Sequence, residues 1–223
     1  NLANFRFKLS GELDKGVGYV VQTTFTKSPA ILDAKIYFKV DDMLKFDLGL
    51  FKAPFSAEYL ISAADIDFVN RSQAVSALAA NRQIGVMASG GFKSANINYS
   101  LGIFNGNKFS QNENDNNDFM YVGRIAYNPF LSYKKTNSER LEIGINVAQS
   151  KDDNVSIPSI NSSFSGKRVL FGGDTRINLN DWLLSSEVIF GQFKHSDNVE
   201  TEPFGYHATV GYMILENLQT IVR

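Results

Sequence analysis

The 223-residue sequence contains no cysteine, which excludes disulfide bonds and thiolate metal sites. It has no apolar run long enough for a transmembrane helix. Its formal net charge of −1 provides no general attraction for nucleic acid. Its two histidines, His195 and His207, belong to no zinc-binding or catalytic-triad pattern. We therefore expect no nucleic-acid partner, no metal, no cofactor and no enzymatic activity.

The segment Phe204–Ile214 alternates between two kinds of side chain. As a strand, it would present one apolar and aromatic face and one face of small, polar or charged residues. The apolar face comprises Phe204, Tyr206, Ala208, Val210, Tyr212 and Ile214, and the other face comprises Gly205, His207, Thr209 and Gly211. The pattern recurs about a dozen times, which is typical of a barrel with lipid outside and water inside. The mean hydropathy of −0.16 does not exclude this, because alternating faces average out.

Alternation and turn residues predict twelve strands. They are Leu2–Leu13, Val17–Thr26, Ala30–Val40, Met43–Phe51, Arg82–Gly91, Ala95–Asn105, Asp118–Asn128, Glu139–Ser150, Lys167–Asn178, Trp182–Phe193, Phe204–Ile214 and Leu218–Arg223. Tight turns largely alternate with long connections, such as Lys52–Asn81, Gly106–Asn117 and Lys151–Gly166. Outer-membrane barrels have short turns at one end and long loops at the other.

The sequence therefore predicts one all-β domain over residues 1–223, a transmembrane antiparallel β-barrel with about 12 strands in this chain. The last segment, Leu218–Arg223, is shorter than the about 9–11 residues that a spanning strand needs. Because a sheet inside a membrane must close, we expect further strands after Arg223. A closed barrel of about twelve strands is the alternative.

Basic residues recur on the faces that we expect to line the lumen. The strand residues assigned there are Arg6, Lys8, Lys35, Lys39, Lys45, Arg82, Arg124, Arg140 and Arg176. Such a lining raises the local concentration of anions and repels cations. Alternatively, these charges are inert wall residues, because any charge in a barrel faces inward and pairs across strands. Asp47, Glu142, Asp174 and Glu187 are the candidate partners.

The connection over residues 52–81 is too long and too apolar to extend freely into water. Ser72 is positioned to cap a short helix through Ala80. Folded into the pore, this connection would narrow the bore and bring Arg71 to the constriction. The alternative is an external lid in which Arg71 pairs with Asp65 or Asp67.

The segment Gly49–Gly90 resembles the phosphate-selective porin O and P family. The resemblance includes a Gly-x-Phe-Lys-x-Pro-Phe-Ser-x-Glu-x-Leu run, an aromatic-x-x-Arg-Ser element and an Arg-x-x-Gly-Val strand start. The matching residues are Gly49, Phe51, Lys52, Pro54, Phe55, Ser56, Glu58, Leu60, Phe68, Arg71, Ser72, Arg82, Gly85 and Val86. The resemblance implies a homotrimeric outer-membrane porin of about sixteen strands, of which this chain contains a part. It also implies inwardly folded loops and passage of phosphate or other small anions.

The leading functional hypothesis is a porin of the bacterial outer membrane that lets small anions, including phosphate or polyphosphate, diffuse passively. A non-conducting structural or binding barrel within an envelope complex is the main alternative. A soluble β-sandwich or lipocalin-like binder is a third, which detergent-free solubility would favour.

Overall fold

The computed structural model describes residues 5–26, 29–106, 116–129, 140–157 and 160–223. Within these residues there are thirteen strands and two short helices. In chain order they are β1 (Arg6–Asp14), β2 (Val17–Thr24), β3 (Ala30–Lys39), β4 (Lys45–Lys52), α1 (Ala57–Leu60), α2 (Gln73–Leu78), β5 (Arg82–Phe92), β6 (Ile97–Phe104), β7 (Met120–Tyr127), β8 (Arg140–Ile157), β9 (Asn161–Leu179), β10 (Trp182–His195), β11 (Glu200–Thr201), β12 (Phe204–Leu215) and β13 (Leu218–Val222).

Within the described residues the strands form one antiparallel sheet. Each strand from β1 to β10 pairs with its neighbours in sequence, β12 follows β10, and β13 lies beside β12. The two-residue strand β11 pairs with β10 outside this path. β1 and β13 lie at the two edges, so the sheet is not closed. The all-β antiparallel prediction is confirmed, and each of the twelve predicted strands corresponds to an observed strand.

The two faces of the sheet differ as the alternation predicts. On β12, Phe204 and Tyr206 are 62% and 73% exposed, whereas Thr209 on the opposite face is 4% exposed. Large apolar residues are exposed in the same way on the other long strands. A continuous apolar surface of this extent is unusual for a soluble monomer and suits contact with hydrocarbon. We call this the outer face and the opposite one the inner face.

Tight turns connect several of the strands. Gly16, between β1 and β2, has φ +78°, and Asn180, between β9 and β10, has φ +51°. Both values lie in the left-handed region, which glycine and asparagine tolerate best. These residues allow the chain to reverse within two or three positions, as the sequence predicts.

The predicted long loop Lys151–Gly166 is wrong. β8 continues to Ile157 and β9 begins at Asn161, so most of this stretch is paired strand. The pairing shifts register between Asp152 and Val155 and again before Ile157. These irregularities move the buried apolar residues out of strict alternation, which conceals the strands in the sequence. The predicted connection Gly106–Asn117 lies mostly outside the described residues.

The chain between β4 and β5, which we call the 53–81 segment, carries both helices. Ser72 caps α2, because its Oγ accepts a hydrogen bond from the amide of Val75 at 3.2 Å. The predicted helix after Ser72 is therefore confirmed and ends at Leu78. Neither of the helices in the described residues has the length and apolar character to cross a membrane.

Candidate functional site

The 53–81 segment packs against the inner face of the sheet. The amide of Ser56 donates to Asn146 Oδ1 on β8 at 3.3 Å. The amide of Glu58 donates to Glu187 Oε2 on β10 at 3.1 Å. Because the two acceptors belong to different strands, the segment bridges the inner face rather than extending away from it.

Apolar side chains fill the space between this segment and the inner face of the sheet, which we also call the wall. The buried cluster includes Phe55, Val75 and Leu78 from the segment and Phe104, Met120, Leu170, Ile189 and Phe193 from the strands. Gly205 on β12 permits close approach of α2, because a Cβ at this position would lie 2.7 Å from Ala74 Cβ. Part of the inner face is therefore covered by protein.

An ion pair attaches the middle of the segment to β9. Arg176 Nη1 and Nη2 donate to Asp67 Oδ2 and Oδ1 at 2.7 and 2.8 Å. Arg71 donates instead to backbone carbonyl oxygens, including that of Ile61 at 2.8 Å. Within the described residues Arg71 therefore forms neither of the pairs, with Asp65 or Asp67, that an external lid would place there.

Four cationic side chains lie near one another where the segment joins β4 and β5. They are Lys52 and the three arginines whose charges act on it, Arg6, Arg71 and Arg82. The carboxylate of Asp33 also acts on Lys52. Asp33 Oδ1 and Oδ2 accept hydrogen bonds from Arg82 Nε and Nη2 at 3.0 and 3.2 Å. We call Arg6, Lys52, Arg71, Arg82 and Asp33 the basic cluster. Glu58 also acts on the charge of Arg71, so basic side chains outnumber the two nearby carboxylates. Mutual repulsion in such a group favours the approach of an anion.

Two members of the basic cluster are held by carbonyl oxygens rather than by carboxylates. Lys52 Nζ donates to the carbonyl oxygens at the end of α1, those of Tyr59, Leu60 and Ile61, at 2.7, 3.1 and 2.8 Å. Arg71 lies 5.1 Å from the centroid of the Tyr59 ring. Burial lowers the pKa of Arg71 and raises the pKa of the Tyr59 phenol. Carbonyl dipoles orient the two side chains, and neither of them donates to a carboxylate within the described residues.

On β3 and β4, two lysines share one carboxylate. Asp47 is fully buried on the inner face, where its two oxygens lie 2.6 Å from Lys35 Nζ and 2.9 Å from Lys45 Nζ. Lys35 Nζ also lies 5.2 Å from the centroid of the Phe51 ring. Two cations with one anion leave a charge of +1 (2 − 1) on this part of the inner face.

The arginines of β7 and β8 belong to a neutral network. Arg124 Nη2 donates to Asp174 Oδ1 at 2.8 Å and to Glu142 Oε1 at 3.1 Å. Arg140 also binds Glu142 and is half-exposed. Two arginines and two carboxylates cancel, so this network joins β7, β8 and β9 without adding net charge.

The remaining predicted residues differ in their surroundings. Lys8 is exposed on β1 and forms no ion pair within the described part of the chain. Lys39 Nζ lies 2.8 Å from Asp42 in the turn after β3. Hydrogen bonds from Lys39, and then from Lys93, lower the pKa of Asp42 to about 2. Lys39 is therefore attached to the turn, whereas Lys8 is an exposed cation.

Arg82 shows where alternation alone is insufficient. Arg82 and Gln83, the first two residues of β5, are both buried, at 8% and 0% exposure. Arg82 also has the same parity as the exposed Val86. Alternation along β5 would place Arg82 on the outer face with Val86. Arg82 instead contacts Asp33 because it is the first residue of the strand.

The sequence model of the phosphate-selective porin O and P family matches residues 2–194 of this chain. The chain belongs to that family. The resemblance of Gly49–Gly90 is thereby confirmed. Membership points to an outer-membrane channel rather than an enzyme. A comparison of this porin with curated proteins found no match.

Solved structures similar to this porin include three engineered variants of the porin from Rh. blastica. Each is 12% identical in sequence, and each alignment covers 98% of this chain and 83% of the variant. The TM-scores are 0.40, 0.39 and 0.40. Within the described residues of this porin, no group of three or more histidine, aspartate or glutamate side chains could hold a metal ion.

Sequence reasoning missed two members of the basic cluster. Lys52 stands in the Gly-x-Phe-Lys run of the family resemblance, which was the available signal. Asp33 has no such signal, because it is an isolated acid whose partner, Arg82, is 49 residues away. Only the packing of the strands brings these side chains together.

Proposed function

We propose that this porin forms a passive channel for small anions, including phosphate or polyphosphate, in the bacterial outer membrane. The observation that carries the proposal is the basic cluster, in which four basic side chains outnumber the nearby carboxylates of Asp33 and Glu58. Positive charge beside low-dielectric walls concentrates anions and excludes cations. Arginine also presents a planar group of donors that suits phosphate oxygens.

Lysines on the inner face of β1 to β4 support the same proposal. Lys8 is exposed without an ion pair in the described residues, and Lys35 and Lys45 exceed the charge of Asp47. By contrast, Arg124 and Arg176 on β7 and β9 are bound to carboxylates. We therefore assign anion preference chiefly to β1–β4 and the basic cluster. In this view the arginines of β7–β9 stabilise the wall.

We also propose that the 53–81 segment narrows the pore and that the protein assembles as a homotrimer. The hydrogen bonds of Ser56 and Glu58 to the inner face support the first part. Chemical cross-linking and native mass spectrometry of the purified protein would test the second, and a monomer under both conditions would contradict it.

A non-conducting barrel is a second candidate, and one observation favours it. The apolar cluster around Phe55 and Ile189 fills the space between the 53–81 segment and part of the wall. If the rest of the interior were equally filled, no solute could pass. A bilayer recording that shows no conductance steps would support this candidate.

Reversal potentials in planar bilayers test the anion proposal. The full-length protein in a KCl gradient should give a potential of the sign that anion preference requires. Arg71→Gln should reduce this preference because it removes one charge of the basic cluster. Lys194→Gln is the matched control, since Lys194 lies on an outward-facing position of β10. A cation preference in the unmodified protein would overturn the proposal.

A further inference from the structure

His207 lies between two carboxylates that belong to different parts of the fold. Its Nε2 is 3.5 Å from Glu58 Oε2 and 3.9 Å from Glu187 Oε2. The side chains of His207 and Glu187 are 8% and 2% exposed. Neither ring nitrogen of His207 has a hydrogen-bond partner within the described residues, and the same is true of Glu187 Oε1. Unpaired buried polar atoms are costly, so this arrangement has unused bonding capacity.

Glu58 connects His207 and Glu187 to the rest of the 53–81 segment. Its carboxylate accepts one hydrogen bond from the amide of Ser72, the cap of α2, at 3.0 Å and another from Arg223 Nη1 at 2.8 Å. Its own amide donates to Glu187 Oε2 on the wall. A change in the charge around Glu58 therefore acts on both helices and on their contact with the wall.

The charges around His207 are unbalanced when its imidazole is neutral. The groups that face or adjoin it are Glu58 on α1, Asp67 in the 53–81 segment, Arg176 on β9, Glu187 on β10 and Arg223 after β13. Three carboxylates and two guanidinium groups sum to −1, and a protonated imidazole brings the sum to zero. The cavity between them holds about 30 Å³, which is room for a single water molecule. Because the side chains of His207 and Glu187 are almost fully buried, bulk solvent screens the charge of this pair poorly.

We propose that His207 is a proton-operated latch that holds the 53–81 segment on the wall. In the protonated ring both nitrogens are donors, and the positive charge attracts the carboxylates of Glu58 and Glu187. In the neutral ring that attraction is lost, and the two carboxylates repel each other across the contact. Docking is strongest on the acidic side and weakens as the pH rises.

Hydrogen exchange of the full chain in detergent micelles tests the latch. Amides of the 53–81 segment should exchange roughly tenfold faster at about pH 8 than at about pH 5.5, after correction for the intrinsic exchange rates, since the attraction between the protonated ring and the two carboxylates is lost. Amides at the centre of β10 should show no such change. This measurement does not involve conductance, so its outcome is separate from that of the anion proposal.

Variants identify the group responsible. His207→Gln should abolish the pH dependence. His195→Gln is the matched control, because His195 is the other histidine of the sequence and packs on the Phe164 ring with centroids 4.7 Å apart. Glu187→Gln keeps His207 but removes one carboxylate, so it should reduce the dependence even if the His207 variant does not fold. An unchanged response in either His207→Gln or Glu187→Gln, or its loss in His195→Gln, would overturn the latch.

Discussion

Replacing Arg124 by Met should destabilise the barrel strongly. Arg124 is 7% exposed, and the carboxylate that it binds, that of Asp174, belongs to a residue that is 8% exposed. Met retains the aliphatic volume but removes the guanidinium that bridges Asp174 and Glu142. Asp174 would then retain one hydrogen bond of those that the described residues show, from Asn146 Nδ2 at 3.3 Å. Leaving a buried charge without its partner costs about 3–5 kcal/mol.

Denaturant unfolding in detergent measures this cost, with the fluorescence of Trp182, the one tryptophan of the sequence, as the signal. The matched control is Lys151→Met, which breaks an exposed pair with Asp118 whose side chains are 68% and 38% exposed. That change should cost about 0–1 kcal/mol. If Arg124→Met cost no more than the control yet altered charge preference, Arg124 would line the pore and our assignment of it to the wall would be wrong.

Two further predictions concern the inner face. Lys8→Glu should lower the anion-to-cation permeability ratio roughly two- to threefold, because it reverses an exposed charge there, whereas Lys194→Glu on the outer face should leave the ratio unchanged. Reversal potentials check both, and equal effects would contradict the assignment of faces. Gly205→Val should push α2 from the wall by overlap with Ala74, at a cost of about 1–3 kcal/mol. Faster proteolysis of the 53–81 segment is the expected result, and unchanged cleavage would argue against this packing.

The strands and their two faces were predictable because their signal is local. In Phe204–Ile214 each side chain reports its own face, and no distant residue is needed. The prediction failed over Lys151–Gly166, where two register shifts interrupt the period of two. Short polar turns such as the one at Gly16 were equally clear, since a left-handed φ restricts which residues occur there.

The candidate site was predictable only in part. Residue type and alternation identified Lys35 and Lys45 as inner-face cations, but not that both bind Asp47. The motif identified the region of Arg71, while its carbonyl partners depend on how α1 ends. The sequence named Asp47, Glu142 and Asp174 as candidate partners of the basic residues, and the structure confirms that all three form ion pairs. Which cation each one binds was not predicted, because ion pairs between strands have no local signature.

Periodicity along the chain was enough to specify an alternating sheet with one apolar face, because the pleat assigns each residue a side without reference to the rest of the molecule. Which cations keep their charge, and which are cancelled, followed instead from the three-dimensional arrangement. Arg82 meets Asp33 across 49 residues, and Arg176 meets Asp67 across 109. Electrostatic interactions depend on distance in space. The packing of the strands sets that distance for Arg82 and Asp33, and the docking of the 53–81 segment sets it for Arg176 and Asp67.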